Sequence, residues 1–187
     1  MASFFNHYFK NIKTTGAFAP SSTKLVNTMT DLDLSSSKCV VELGSGTGEV
    51  TGKIITTIPE DCTFFGLEIN PTFVKTVKEK YPKAKIYLAS AENIQKYLKK
   101  HGRAQCDAVI STIPWTFLPS QTQNKVFNAI SKTLSADGKM ITYSYLSAVV
   151  LPSSRRLRTF LKQQFSEVKT KIVWKNFPPA IVYECRK

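Results

Sequence analysis

Acidic residues are scarce in this chain, with 13 Asp and Glu set against 26 Lys and Arg, a formal charge of +13 at pH 7. That imbalance favours polyanions or an anionic membrane surface as partners without choosing between them. Long apolar runs are missing too. No 18 consecutive apolar residues occur, which excludes a membrane-spanning helix of ordinary type, and the amino terminus lacks the charged start and apolar core of a secretory signal. A cytoplasmic location is expected. The four cysteines, Cys39, Cys62, Cys106 and Cys185, lie far apart with no C-x-x-C pair, so buried free thiols and no metal are expected. Histidine is limited to His7 and His101, and neither is convincingly placed to act as a general base. Nothing repeats, and 187 residues suit a single catalytic domain, expected over 31–187 behind an amino-terminal segment of 1–30.

Glycine is also uncommon, and three of the 8 fall at alternate positions in one loop, Val40-Val41-Glu42-Leu43-Gly44-Ser45-Gly46-Thr47-Gly48. The apolar run reads as a buried strand, and the glycines let the backbone turn tightly and approach a ligand that a Cβ would block. Neither register gives G-x-G-x-x-G, since Glu49 or Thr51 stands at the third glycine, and no Gly-Lys-Ser/Thr follows. Pyrophosphate is therefore a poor ligand. Glu42 would repel it but attract the positive amino end of a zwitterionic cofactor, which points to S-adenosylmethionine.

Further pieces follow at the ends of successive predicted strands. Thr63 to Ile69 ends in Glu68 and Ile69, about 20 residues on, where a doubly wound fold places an acid on ribose hydroxyls. Lys85 to Ala89 ends in Ser90, Ala91 and Glu92, where adenine edges are read in such folds. The strand from Cys106 ends in Ser111-Thr112-Ile113-Pro114-Trp115. Strands near 39–43, 63–69, 85–90, 106–112 and 138–145 alternate with helices near 49–57, 71–80, 92–100 and 120–134, which argues for a parallel α/β sheet. After a helix near 154–163, segments 166–175 and 180–186 read as a closing antiparallel hairpin. The expected architecture is the Rossmann-like, seven-stranded, mostly parallel sheet of class I methyltransferases.

Outside that frame, Phe4, Phe5, Tyr8, Phe9 and Ile12 form one helical stripe opposite Asn6, Lys10, Asn11 and Lys13, a pattern suited either to a membrane interface or to the protein's own core. A short helix through Leu25, Val26 and Met29 follows. Lysines between 75 and 100 read mainly as solvated helix faces. The cluster Arg155, Arg156 and Arg158, after a Leu151-Pro152-Ser153-Ser154 turn, is more pointed. Arg155, Arg156 or Lys24 is expected to hold a phosphate through charge-assisted bonds.

Together these motifs resemble the bacterial phospholipid N-methyltransferases, soluble relatives of the ribosomal RNA adenine dimethyltransferases. Gly16-Ala17 through Pro20-Ser21-Ser22 is similar to the family's amino-terminal motif, Val41 to Gly48 to its cofactor loop, and Ser111 to Pro114 to its motif IV. Asn176-Phe177-Pro178-Pro179-Ala180 is the most branch-specific likeness. The resemblance implies S-adenosylmethionine as cofactor, held by Glu42, Gly44, Ser45, Gly46, Thr47, Gly48, Glu68, Ile69, Ser90, Ala91 and Ser111. It implies N-methylation of phosphatidylethanolamine towards phosphatidylcholine, with the number of methyl groups open. It also implies peripheral attachment to the inner face of the membrane through residues 3–13. Ser111, Thr112, Tyr143 and Tyr145 are candidates to position the amine, through hydroxyls and aromatic faces. Two departures stand out: Ser90 replaces a frequent Asp, and Thr112-Ile113-Pro114-Trp115 lacks the amide of the Asn-x-Pro-Tyr/Phe found in RNA adenine methylases. An RNA adenine N-methyltransferase and a non-catalytic membrane-associated module of the same fold are the alternatives.

Overall fold

The computed structural model describes residues 22–187. The aromatic stripe at 3–13 and the motif beginning at Gly16 lie outside the described residues, apart from Ser22. From there the chain runs α1 (Thr23–Met29), β1 (Cys39–Leu43), α2 (Glu49–Thr57), β2 (Thr63–Glu68), α3 (Pro71–Lys80), β3 (Ile86–Leu88), α4 (Ile94–Lys100), β4 (Cys106–Ser111), α5 (Ser120–Thr133), β5 (Leu134–Tyr145), α6 (Pro152–Gln164), β6 (Glu167–Val173) and β7 (Ala180–Arg186). The sheet order is β3-β2-β1-β4-β5-β7-β6, with β7 antiparallel to both neighbours and the other pairings parallel. The seven-stranded sheet with its reversed hairpin is thus present.

Both faces of the sheet are covered, which explains why the central strands read as unbroken apolar runs. Leu25, Val26 and Met29 of α1, Val50 and Ile54 of α2, and Val74 and Val77 of α3 pack on one face around Val40, Ile110 and Ile141. Ile94 and Leu98 of α4, Val126, Phe127 and Ile130 of α5, and Leu157, Phe160 and Leu161 of α6 pack on the other around Val41, Phe65 and Val109. Helix starts follow local chemistry. Asn70 accepts from the Thr72 N–H at 2.9 Å with Pro71 opening α3, and Ser22 accepts from Leu25 N–H at 3.1 Å to cap α1.

β5 begins at Leu134 rather than near 138, because Leu134 is buried beside Cys106 and the pairing with β4 shifts register before resuming at Ala108–Lys139. At the opposite edge of the molecule from the glycine loop, the Lys187 N–H donates to Gly138 O and its ammonium to Leu134 O, both at 3.0 Å. Asp107 also belongs to that amino-terminal edge, accepting from the backbone N–H groups of Lys38 (2.7 Å) and Cys39 (2.8 Å). Among the described residues, no helix is long and apolar enough to cross a membrane. Cys39, Cys106 and Cys185 are buried free thiols, and burial pushes Cys39 and Cys185 up to about 12, far from reactive, whereas Cys62, expected to be buried with them, is a half-buried free thiol just before β2.

Candidate cofactor and acceptor site

Strand register assembles the site. Tyr87, Leu67, Leu43, Ser111 and Thr142 stand side by side across five parallel strands, so the next residues, Leu88, Glu68, Gly44, Thr112 and Tyr143, line one rim. This is the carboxyl end of the sheet, where the strand order reverses between β1 and β4, the place where open α/β sheets bind ligands.

The three loop glycines all have positive φ, +85° at Gly44, +51° at Gly46 and +87° at Gly48, yet their surroundings differ. A Cβ on Gly44 would lie 3.3 Å from Thr112 Oγ1, and one on Gly48 would lie 3.1 Å from Val77 and 3.2 Å from the Tyr81 ring. Those two glycines serve the chain's own packing. Only at Gly46 does the added atom meet open space, so a ligand can approach the backbone there. Thr47 is exposed beside it.

Beneath the loop, Glu42 is fully buried. Thr51 Oγ1 donates to its Oε2 at 2.7 Å, while Oε1 has no hydrogen-bond partner, and burial pushes the carboxyl up to about 7. Ser45 Oγ and Ser111 Oγ are likewise buried without partners. Glu68 is 6% exposed and accepts three backbone N–H bonds, from Gly46 at 2.9 Å and from Ile69 and Asn70 at 2.8 Å. Burial raises its pKa against the pull of those donors. Ser90 and Ile69 are half-buried and Ala91 is buried at the neighbouring strand ends. Three orphaned polar atoms and an open glycine suit a ligand that carries both hydroxyls and a charged amino-acid end, so the cradle fits S-adenosylmethionine.

The candidate acceptor side is built from β4 and β5. Thr112 Oγ1 donates to Gly44 O and its N–H to Leu43 O at 2.9 Å, which ties motif IV to the glycine loop. Thr142 Oγ1 donates to Ser111 O at 2.9 Å and accepts from Trp115 Nε1 at 2.8 Å. Trp115 is 1% exposed and stacks on Phe127 at 5.0 Å, which in turn stacks on Phe160 at 4.1 Å. Its ring is committed to the core and offers no face to a nucleobase. Tyr143 and Tyr145, two apart on β5, share one face and meet edge-to-face at 5.7 Å, both half-buried.

The basic candidates are not gathered into one clamp. Lys24 is exposed on α1 and Arg155 on α6, helices that cover opposite faces of the sheet. Arg156 Nε donates to Gln123 Oε1 at 2.9 Å, and Gln123 Nε2 reaches Trp115 O at 2.5 Å. Arg158 donates to Val149 O at 2.8 Å. His101 sits elsewhere, bonded to Tyr87 Oη at 3.0 Å and stacked on Phe65 at 5.1 Å, with its pKa lowered by burial.

Three contributors escaped the sequence reading. Gly66 lies under the loop, where a Cβ would come within 2.6 Å of Ser45 Oγ and Ile86 Cδ1, and a lone glycine in an apolar strand was its signal. Thr51 and Thr142 carry no local signal, because each gains its partner only through tertiary pairing.

A family model described as a methyltransferase domain matches residues 40–138. The ornithine lipid N-methyltransferase of Singulisphaera acidiphila is 28% identical over 187 residues, covering 98% of this chain and 94% of that protein. In structure, the N-methyltransferase NodS from Bradyrhizobium japonicum superposes with a TM-score of 0.72 at 11% identity, over 88% of this chain and 94% of that one. Magnesium protoporphyrin IX methyltransferase from Synechocystis with bound S-adenosylmethionine gives 0.65 at 12%, over 87% and 76%. At such identities these structures share the fold alone.

Proposed function

The chain belongs to the methyltransferase domain family, and on that footing we propose that it transfers methyl from S-adenosylmethionine to the amine of a membrane lipid headgroup. Phosphatidylethanolamine is the acceptor that the motifs favour, and an ornithine lipid, named for the relative, presents the same chemistry through a primary amine. The observation that carries this reading is the likeness to a lipid N-methyltransferase along 98% of the chain. The buried Trp115 supports it from the other side, since base stacking on that ring is blocked.

In this reading, the cofactor's sulfonium supplies an activated methyl group. Glu68 serves the ribose hydroxyls and Glu42 the amino end, while Ser90 and Ala91 border the adenine. Gly46 gives the backbone approach, flanked by Gly44, Ser45, Thr47, Gly48 and Ile69. Ser111, Thr112, Tyr143 and Tyr145 position the amine for in-line attack, where fixed geometry does most of the catalytic work. A primary ammonium has a pKa of about 10, so it sheds its proton to water before attack. Arg155 and Arg156 on α6, or Lys24 on α1, hold the lipid phosphate. Residues 31–187 form the catalytic domain, to which α1 adds Leu25, Val26 and Met29 as core, so within the 1–30 segment the membrane-associating role falls to the residues before α1.

Incubating the protein with methyl-labelled S-adenosylmethionine, detergent-dispersed lipid and total RNA, then separating products, tests the reading. Label is expected in the amine lipid; label confined to RNA, or none in either, overturns it.

A further inference from the structure

Among the described residues, four of the seven exposed large apolar side chains lie on two neighbouring connections, the others being Leu88, Phe117 and Ile172. Phe177 is 91% exposed, Val150 70% and Trp174 68%, and Leu151 is exposed beside Val150. Isolated exposed apolar residues are ordinary, but a cluster at a binding rim marks an interaction surface. All four belong to the two connections at the carboxyl end of β5, the segment after Tyr145 and the 174–179 link between β6 and β7. These connections are joined, because the Leu146 N–H donates to Pro179 O at 2.8 Å. Tyr143 and Tyr145 lie at the same end.

The 174–179 link is held in place from within. Asn176 is 7% exposed, accepts from the Ser22 N–H at 3.1 Å and donates to Pro178 O at 2.7 Å. Its neighbours Trp174, Lys175 and Phe177 are all exposed, so anchoring the middle of the link turns a cation and two aromatic rings outward. Arg155 is exposed one helical turn beyond Leu151.

We propose that Trp174, Lys175 and Phe177, with Val150 and Leu151, form the face that seats the protein on an anionic lipid bilayer. The proposal deepens the lipid-amine reading above and rests on it. Tryptophan beside lysine suits the boundary of headgroup and acyl chain, where rings partition and cations meet anionic lipid. The net charge of +13 adds long-range attraction to such a surface. Seating here brings the acceptor side of the site against the headgroup layer, so the lipid need not leave the bilayer for its amine to reach Tyr143 and Tyr145.

The test exploits the two tryptophans, since Trp115 is buried and Trp174 is exposed. Full-length protein is titrated with vesicles of phosphatidylglycerol and phosphatidylethanolamine, with and without acyl-chain bromination. A blue shift and bromine quenching are expected, and both should vanish in Trp174→Phe. Phe177→Ser combined with Val150→Ser should weaken vesicle binding about tenfold, while methylation of detergent-dispersed lipid is unchanged. Vesicle binding without Trp174 quenching, no vesicle binding, or self-association that buries Trp174 overturns the proposal. Quenching without any micellar methylation would instead count against the lipid-acceptor reading and leave the docking face standing.

Discussion

The Glu68 carboxylate reaches from the end of β2 to the backbone N–H of Gly46, 2.9 Å away, and clasps the middle of the glycine loop. The same carboxylate accepts from Ile69 and Asn70, so one side chain fixes two loops at the candidate ribose position. Glu68→Ala removes charge-assisted bonds and loosens both. Cofactor affinity is expected to fall about 30-fold in isothermal titration calorimetry, equivalent to about 2 kcal/mol. Unchanged affinity would show that neither the clasp nor the acid matters to binding.

Gly46→Ala separates stability from binding. Its φ of +51° suits a left-handed residue and the added methyl meets nothing, so the cost in stability is about 1 kcal/mol. The methyl nevertheless fills the approach to the backbone. Thermal unfolding should shift by only a few degrees, while stabilisation by S-adenosylmethionine disappears. Gly48→Ala should show a larger loss of stability, because Val77 and Tyr81 stand in the way.

Glu42 makes stability depend on pH. Burial raises its pKa from 4.5 to about 7, so below pH 4.5 it is protonated both folded and unfolded and carries no penalty. As pH rises to about 7 the unfolded state ionises first, and stability is lost by about 3 kcal/mol in all. Glu42→Gln removes this dependence. In urea unfolding the variant should gain on the native protein between about pH 5 and pH 8 and then hold a constant lead. A gap that does not change with pH would place the ionisation elsewhere.

Thr142→Val leaves the Trp115 indole N–H buried without its acceptor. Chemical denaturation should report a loss of about 1–3 kcal/mol, the cost of an unsatisfied buried donor. Because Thr142 also bonds Ser111 O, the variant should additionally disturb the acceptor side, read as a raised KM for lipid.

The parts visible in the sequence are those whose physics is local. Val40 and Val41 are buried on both sheet faces and so read as an apolar run, and Glu42 announced itself as a charge within one. The alternate glycines of the loop fixed the turn. Gly44 and Gly48 carry a second constraint that sequence does not reveal, because Thr112 and Val77 come to lie against them only in the fold. Thr51 resembled any polar residue near a helix start until β1 placed Glu42 beside it. Arg155 and Lys24 seemed equivalent as cations, since nothing local to either marks the side of the sheet its helix takes. Phe177 was legible as part of a motif but not as an outward-facing ring, which depends on Asn176 finding Ser22 far away in sequence.

The hydrogen bonds that dock Lys187 beside Leu134 and Gly138 carry a practical consequence. A reporter or surface tether joined after residue 187 emerges from the pole facing away from Glu68 and Gly46. Such a handle leaves the candidate cofactor pole unobstructed, and gives single-molecule or surface-plasmon measurements a defined orientation.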